Sequence, residues 1–187
     1  MLKGVPSIIS PELLKILAEM GHGDEIVICD ANCPAARLNK VALRCEVRNA
    51  SELLDAILTI FPLDTYEKPV YMMEKVKGDE AVPTDNWDEY YEIVKNYTDV
   101  PPEHVERFAF YDKMKNACAA IVTADLRPYG NIIIKKGVIN NWKKIISMVR
   151  LFQKETTIFD KKIVVSFCTI IFSLFSLNSS LKIVVSK

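Results

Sequence analysis

The 187-residue chain has two histidines, six glycines, five cysteines without a C-x-x-C pair, and no net charge, with 24 Lys+Arg balancing 24 Asp+Glu. Each scarcity excludes something. Too little His and no paired Cys argue against a zinc centre, which draws on clustered ligands of those types. Neutrality argues against a nucleic-acid binder, which carries a basic excess or stripe. Few glycines and 9% aromatics exclude collagen-like and disordered chains. Met1-Leu2-Lys3-Gly4-Val5-Pro6 lacks the apolar stretch of a secretory signal, so none is expected here. The odd cysteine count, with most thiols among apolar neighbours, suits reduced, mostly buried thiols and predicts a cytoplasmic protein. The motifs G-x-S-x-G, P-loop and G-x-G-x-x-G are missing too, so acyl-transfer and nucleotide chemistry gain no support.

What is present divides at a seam near Asn140. Residues 1–140 hold 16 basic and 22 acidic side chains, net −6; residues 141–187 hold 8 and 2, net +6. Every Gly, Pro and Tyr lies before the seam. The expected organisation is one domain over 1–140 and a hydrophobic, basic extension over 141–187. The apolar run at 163–177 is short of the roughly 20 residues of a membrane span. An extension without selected structure is favoured over a packed segment or a membrane anchor.

Within 1–140, Ser10-Pro11-Glu12 opens a helix with an N-cap, a proline at the first helical position and an acid in the first turn. Leu13, Leu14, Leu17, Ala18 and Met20 continue it as an amphipathic stripe, and Gly21 is expected to end it in the left-handed conformation. Residues 25–29 read as a buried strand with Asp30 just beyond it. Helices are predicted over 51–61 and 85–96, strands over 70–76, 119–123 and 130–135. An extended piece at 105–107 leads into a helix through Tyr111, Met114 and Cys118. Alternating helices and strands predict an α/β sheet covered by helices.

Candidate chemistry is sparse. His22, between two glycines on a helix–strand turn, is suited to general acid–base work because imidazole exchanges protons near neutrality. A solvated turn histidine explains it equally well. Asp30 sits at the strand end where α/β proteins gather ligands, with a turn or cap Asp as the plainer reading. Asp64 reads as a turn residue. Arg107 lies among aromatic residues, where a cation stacks on a ring or donates to a ligand. Tyr129-Gly130-Asn131 offers phenol and carboxamide tips around a glycine. His104 is expected in a surface loop and Lys135-Lys136 at a solvated strand end. This set suits an uncharged polyol better than a phosphate.

Five motifs occur together and in order: Ser-Pro-Glu-Leu-Leu-Lys at 10–15, Ala-Glu-Met-Gly-His-Gly-Asp-Glu-Ile at 18–26, Leu-Asp-Thr-Tyr at 63–66, Arg-Phe-Ala-Phe-Tyr at 107–111 and Tyr-Gly-Asn-Ile-Ile-Ile-Lys-Lys-Gly-Val at 129–138. Over residues 1–139 the chain resembles the ribose-pyranase/fucose-mutarotase family, on its fucose branch. The resemblance implies a three-layer α/β/α domain with a mixed sheet. It further implies ring assembly, commonly as decamers, with sites at subunit contacts. The implied reaction is cofactor-free and metal-free interconversion of α and β anomers of a free monosaccharide such as L-fucose. His22 falls on the family's catalytic histidine, Asp30 on its sugar-binding aspartate, Asp64 on the Asp of the Leu-Asp-Thr-Tyr motif and Met73 on a pocket methionine. Arg107 and Tyr111 match the aromatic block; Tyr129 and Asn131 match the last motif. Two segments depart: Cys33 replaces a phenylalanine before Pro34, and Arg44-Cys45-Glu46-Val47 stands for Arg-x-Asp-Gly.

These residues predict His22 as proton carrier with Tyr129 as its partner, the phenol serving better as donor than as base. Asp30, Arg107 and Asn131 would hold hydroxyls, and Tyr111 and Phe108 would face the sugar's C–H surface. His22 and Asp30 flank an extended strand, too far apart for one ring, so a neighbouring subunit is expected to complete the site. The competing expectations are a ribose pyranase, a sugar-binding protein without catalysis, and a membrane-anchored relative.

Overall fold

The computed structural model describes residues 2–139. The expectations for 141–187 lie outside the described residues. Six strands form one mixed sheet in the order β2-β5-β1-β6-β3-β4. They are β1 Glu25–Cys29, β2 Ala42–Arg44, β3 Val70–Met73, β4 Glu103–Val105, β5 Ala119–Val122 and β6 Ile132–Lys135. β1, β5 and β2 run parallel, as do β3 and β4; β6 lies between the two sets, antiparallel to both β1 and β3.

Side chains alternate across the pleat, so each central strand feeds two cores. Ile26, Ile28, Val70, Met72, Ala119, Ile121, Ile132 and Ile134 enter one, with helices α1 (Pro11–Glu19), α3 (Ala50–Leu58) and α4 (Asp85–Val94). Val27, Cys29, Tyr71, Met73, Ala120, Val122 and Ile133 enter the other, beneath α2 (Ala35–Leu38) and α5 (Arg107–Asn116). The fold is therefore the expected three-layer α/β/α arrangement. Near-continuous apolar strands are what burial on both faces demands. Truncating one fully buried member such as Leu53 or Ile57 to Ala costs about 2–5 kcal/mol.

Ser10 caps α1 by accepting the Leu13 N–H at 3.2 Å. The helix ends differently from expectation. Met20 leaves it in extended conformation (φ −60°, ψ 139°), drawn inward by its buried side chain. The positive φ falls at Gly23 (85°), not Gly21. Lys136 Nζ takes the carbonyls of Leu17 and Met20 at 2.6 and 2.7 Å, doing the work of a C-terminal cap. Lys135 is also no solvated strand end: it is 8% exposed, paired with Glu67 and Glu25, because its neighbours on the sheet enclose it. His104 belongs to β4 rather than a surface loop, its ring packed at a tilt on Trp87 with 4.3 Å between centroids and bonded to the Tyr91 hydroxyl at 2.6 Å. The expected extended piece at 105–107 is shifted: β4 ends at Val105, and Arg107 begins α5 behind the Glu106 cap. Of the four described cysteines, all unpaired, only Cys29 is fully buried.

Candidate active site

The sheet places the candidate residues at its two ends. At the amino end of β1, the turn 21–24 is tied to β6 by Gly23 N–H to Lys136 O and Lys136 N–H to Asp24 O, both 2.8 Å. Gly137 packs so tightly on Leu63 that an added Cβ would lie 2.3 Å from the Leu63 carbonyl oxygen. That close approach brings Asp64 under the histidine turn. His22 Nε2 is 3.2 Å from Asp64 Oδ1, and the ring meets Tyr66 edge-on at 5.3 Å.

The imidazole is 46% exposed, while the Asp64 side chain is 3% exposed. Burial would raise the Asp64 carboxyl, but the N–H of Tyr66, the His22 ring and the N–H of Thr65 outweigh it and hold it below the usual range. An ionised carboxylate only accepts hydrogen bonds. His22 therefore carries its proton on Nε2 when neutral, which leaves Nδ1 without a hydrogen-bond partner among the described residues. Asp64, read from sequence as a turn residue, is the group that orients the histidine.

At the carboxyl end of β1, Asp30 and Asn131 are both buried and locked together. Asn131 Nδ2 donates to Asp30 Oδ2 at 2.7 Å, and Asp30 N–H donates to Asn131 Oδ1 at 3.3 Å. Asp30 Oδ1 also accepts the Asn32 N–H at 2.9 Å. Burial pushes the Asp30 carboxyl up against the opposing pull of Asn32, Asn131 and Gly130. Met73 lies against the same strand end, its N–H donating to Asn131 O at 3.3 Å. Tyr111 and Tyr129 pack on the same apolar cluster as Met73 and Cys33. Arg107 lies over the Phe108 ring at 4.8 Å, and its Nε is buried without a partner.

Tyr129 is held hard. Its φ of 58° makes it the one non-glycine residue with positive φ among the described residues, a conformation that costs about 1–3 kcal/mol and persists where surroundings over-determine it. Those surroundings are specific: Trp87 Nε1 donates to Tyr129 O at 3.0 Å, Val76 N–H donates to the phenol at 3.2 Å, and the phenol donates to Asp79. Burial first, then Asp79, pushes the phenol's pKa up; the Val76 N–H and Arg107 oppose. The phenol's proton is thus engaged by Asp79, and one lone pair of its oxygen remains as an acceptor.

The loop preceding Tyr129 is anchored by a network that sequence reasoning did not assign. Asp125 accepts the Ala50 N–H at 3.0 Å and pairs with Arg127 at 2.8 Å; Arg127 also binds Glu89 and Asn49, both at 2.7 Å. Asp79, Trp87, Asp125 and Glu89 were all missed. The only sequence signal for Asp79 was its place after Gly78 in a loop between strand and helix.

The structure therefore brings Asp30, Met73, Arg107, Tyr111, Tyr129 and Asn131 to one end and His22 with Asp64 to the other. Between them runs β1, whose five residues at ~3.3 Å each span about 13 Å from first to last Cα. An oriented, exposed imidazole, neutral hydrogen-bonding tips and aromatic faces define a class: proton-transfer equipment for a neutral, hydroxyl-rich molecule.

The chain belongs to the RbsD / FucU transport protein family, whose model matches residues 3–139. Among its relatives is the L-fucose mutarotase of Actinobacillus pleuropneumoniae serotype 5b, 48% identical over 141 residues, covering 74% of this chain and 97% of the relative. The fucose mutarotase of Danio rerio is 46% identical over 144 residues, covering 74% of this chain and 94% of its own. The crystal structure of the Streptococcus pneumoniae fucose mutarotase in complex with L-fucose is 42% identical, with TM-score 0.70, and covers 74% of this chain and all of its own. Among the described residues no helix is long and apolar enough to cross a membrane.

Proposed function

We propose that this chain is an isomerase that interconverts the α and β anomers of free L-fucose by acid–base opening of the hemiacetal. One observation carries the reading beyond family membership: an exposed His22 whose Nε2 is fixed on the buried Asp64 carboxylate, presenting Nδ1 as the proton-exchanging atom. In ring opening the anomeric hydroxyl loses a proton while the ring oxygen gains one. Protonated His22 supplies the second from Nδ1, and Asp64 stabilises the imidazolium. Rotation about C1–C2 and reclosure on the other carbonyl face reverse both transfers. Positioned acid–base groups contribute about 10²–10⁴ in rate.

Arg107, through its guanidinium, and Asn131 hold sugar hydroxyls. Asp30 holds Asn131 in place and offers its remaining lone pairs. Phe108, 62% exposed, and Tyr111 face the sugar's C–H surface. Because the two ends of β1 are too far apart for one sugar, His22 and Asp64 of one copy complete the Tyr129 end of a second, which accords with a ring-shaped homo-oligomer. The catalytic unit is residues 1–140, with 141–187 not required. The four cysteines among the described residues, all unpaired, support a reducing, cytosolic setting.

The test is saturation-transfer NMR on L-fucose. The full chain accelerates exchange between anomers, and His22→Asn reduces that acceleration at least about a hundredfold with an unchanged thermal transition. Retained exchange in the folded variant removes His22 from the reaction. D-ribose measured in the same tube separates anomer exchange from ring-size isomerisation.

A further inference from the structure

The loop between β3 and α4 turns back onto the candidate site. Gly78 takes φ 104°, a conformation that favours glycine, and the next residue, Asp79, reaches Tyr129 fifty positions along the chain. Tyr129 Oη donates its one proton to Asp79 Oδ2 at 2.5 Å and accepts the Val76 N–H at 3.2 Å. One lone pair of the phenol remains. The charged groups facing the phenol are Asp79 from the loop and Arg107 from α5. Lys75, next to Val76, spends its ammonium on the carbonyls of Glu80 and Val82 and thereby fixes the turn that carries Asp79.

A phenol bonded in this way has no proton to give a sugar; it can only receive one. Resting on the mutarotase reading, we propose that Asp79 is the positioning residue of a two-step proton relay, holding Tyr129 as an acceptor toward the anomeric hydroxyl and taking the phenol's own proton as the sugar's arrives. The O1–H bond breaks as its proton passes to Tyr129 Oη, and the old Oη–H bond breaks as that proton passes to Asp79 Oδ2. The electron pair left on O1 forms the C1=O bond. The C1–O5 bond breaks with its pair going to O5, which takes a proton from the His22 imidazolium. Reclosure on the other face runs every transfer backwards, so no group is consumed. The phenol never becomes a free phenolate, which suits a site where burial and Asp79 both disfavour that anion.

The decisive experiment is a double-mutant cycle on the full chain, read as L-fucose anomer exchange. Asn at 79 still accepts the phenol's hydrogen bond but cannot hold its proton. Asp79→Asn is expected to lower kcat about tenfold to a hundredfold with KM within about twofold, and Asp79→Glu to restore most of it. In a Tyr129→Phe background, Asp79→Asn is expected to cost nothing further, because its effect passes through the missing phenol. A merely structural loop residue would lower activity equally in both backgrounds, and that outcome overturns the proposal. Asp79→Ser carries the same cycle if the Asn variant misfolds. A wild-type chain without exchange removes both readings together, whereas exchange that survives Asp79→Asn removes this one alone.

Discussion

The two ends of β1 are built on opposite plans. At the amino end one exposed imidazole rests on a single buried carboxylate, and Tyr66 beside it is 70% exposed. At the carboxyl end Asp30, Asn131 and Asp125 are buried, bonded to one another's loops, and braced by Arg127 against α3 and α4. A proton carrier needs an open nitrogen and freedom to meet its substrate; a cradle needs fixed tips, because a small misplacement of a positioned group costs rate steeply. On the proposed reading the difference teaches that neither end is a site alone: the amino end delivers a proton to the ring oxygen, while the carboxyl end holds the sugar and receives its anomeric proton.

The largest effect should come from breaking that division of labour between copies. His22→Asn and Tyr129→Phe are each expected to lose about a hundredfold of the exchange rate while keeping a measurable residue, yet mixing them after dissociation and reassociation should restore activity. A His22→Asn subunit still offers its Tyr129, and a Tyr129→Phe subunit its His22. Random mixing in a closed ring with heterologous contacts yields intact sites at about one quarter of the positions. A mixture as inactive as its parts would place the whole site within one chain. In the same measurement, a chain ending at residue 140 should match the full chain's exchange rate.

Next comes the brace. Arg127 pairs with an Asp125 side chain only 1% exposed, and the shared hydrogen bonds hold the Asp125 and Glu89 carboxyls below their usual range, with burial opposing. Arg127→Met leaves Asp125 buried with its charge answered only by backbone N–H groups. Removing one partner of a buried pair costs about 3–5 kcal/mol; Arg127 is a quarter exposed, so about 3 kcal/mol is expected, as a lower urea midpoint at constant m. The equivalent change at the open end, Tyr66→Ala, should shift the midpoint little. Equal losses would erase the contrast between braced and open ends.

How much of this was legible in the sequence follows from which forces are local. α1 and α3 announce themselves by periodicity and caps, β1 and β6 by apolar runs, and the residues of both half-sites by their motifs. α2 and β2 were not foreseen: a four-residue helix without a side-chain cap and a three-residue edge strand carry too few positions to show a period. Lys135 and Lys136 misled because lysine pairs are normally solvated; here the cross-strand Glu25, the loop residue Glu67 and helix-end carbonyls absorb them. The Asp125–Arg127–Glu89 brace and the Asp79–Tyr129 pair join residues 38 and 50 positions apart. Nothing within a local window encodes such partners. The left-handed position falls two residues after Gly21 because Met20 is pulled into the core, a tertiary force that outranks the usual helix stop.

The smallest expected effect separates the ends by the sign of their pH dependence. Asp64 is held below the ordinary aspartate range of about 3.9. The unfolded chain therefore binds its proton first, and the stability Asp64 provides at neutral pH is lost only as pH falls below that value, through the folded pKa. Asp30 is raised, first by burial. Here the folded chain binds the proton first, so stability falls as pH rises from about 3.9 through the folded value. Asp64→Asn should cost stability at neutral pH but not at strongly acid pH. Asp30→Asn should remove a destabilising ionisation at neutral pH while forfeiting part of the Asn131 contact. Urea unfolding of both variants and the parent across pH 2.5–7, given as differences, reads the two slopes directly. Slopes of the same sign would mean that the ends of β1 are electrostatically alike, and that Asp64 does not hold His22 as an ionised acceptor.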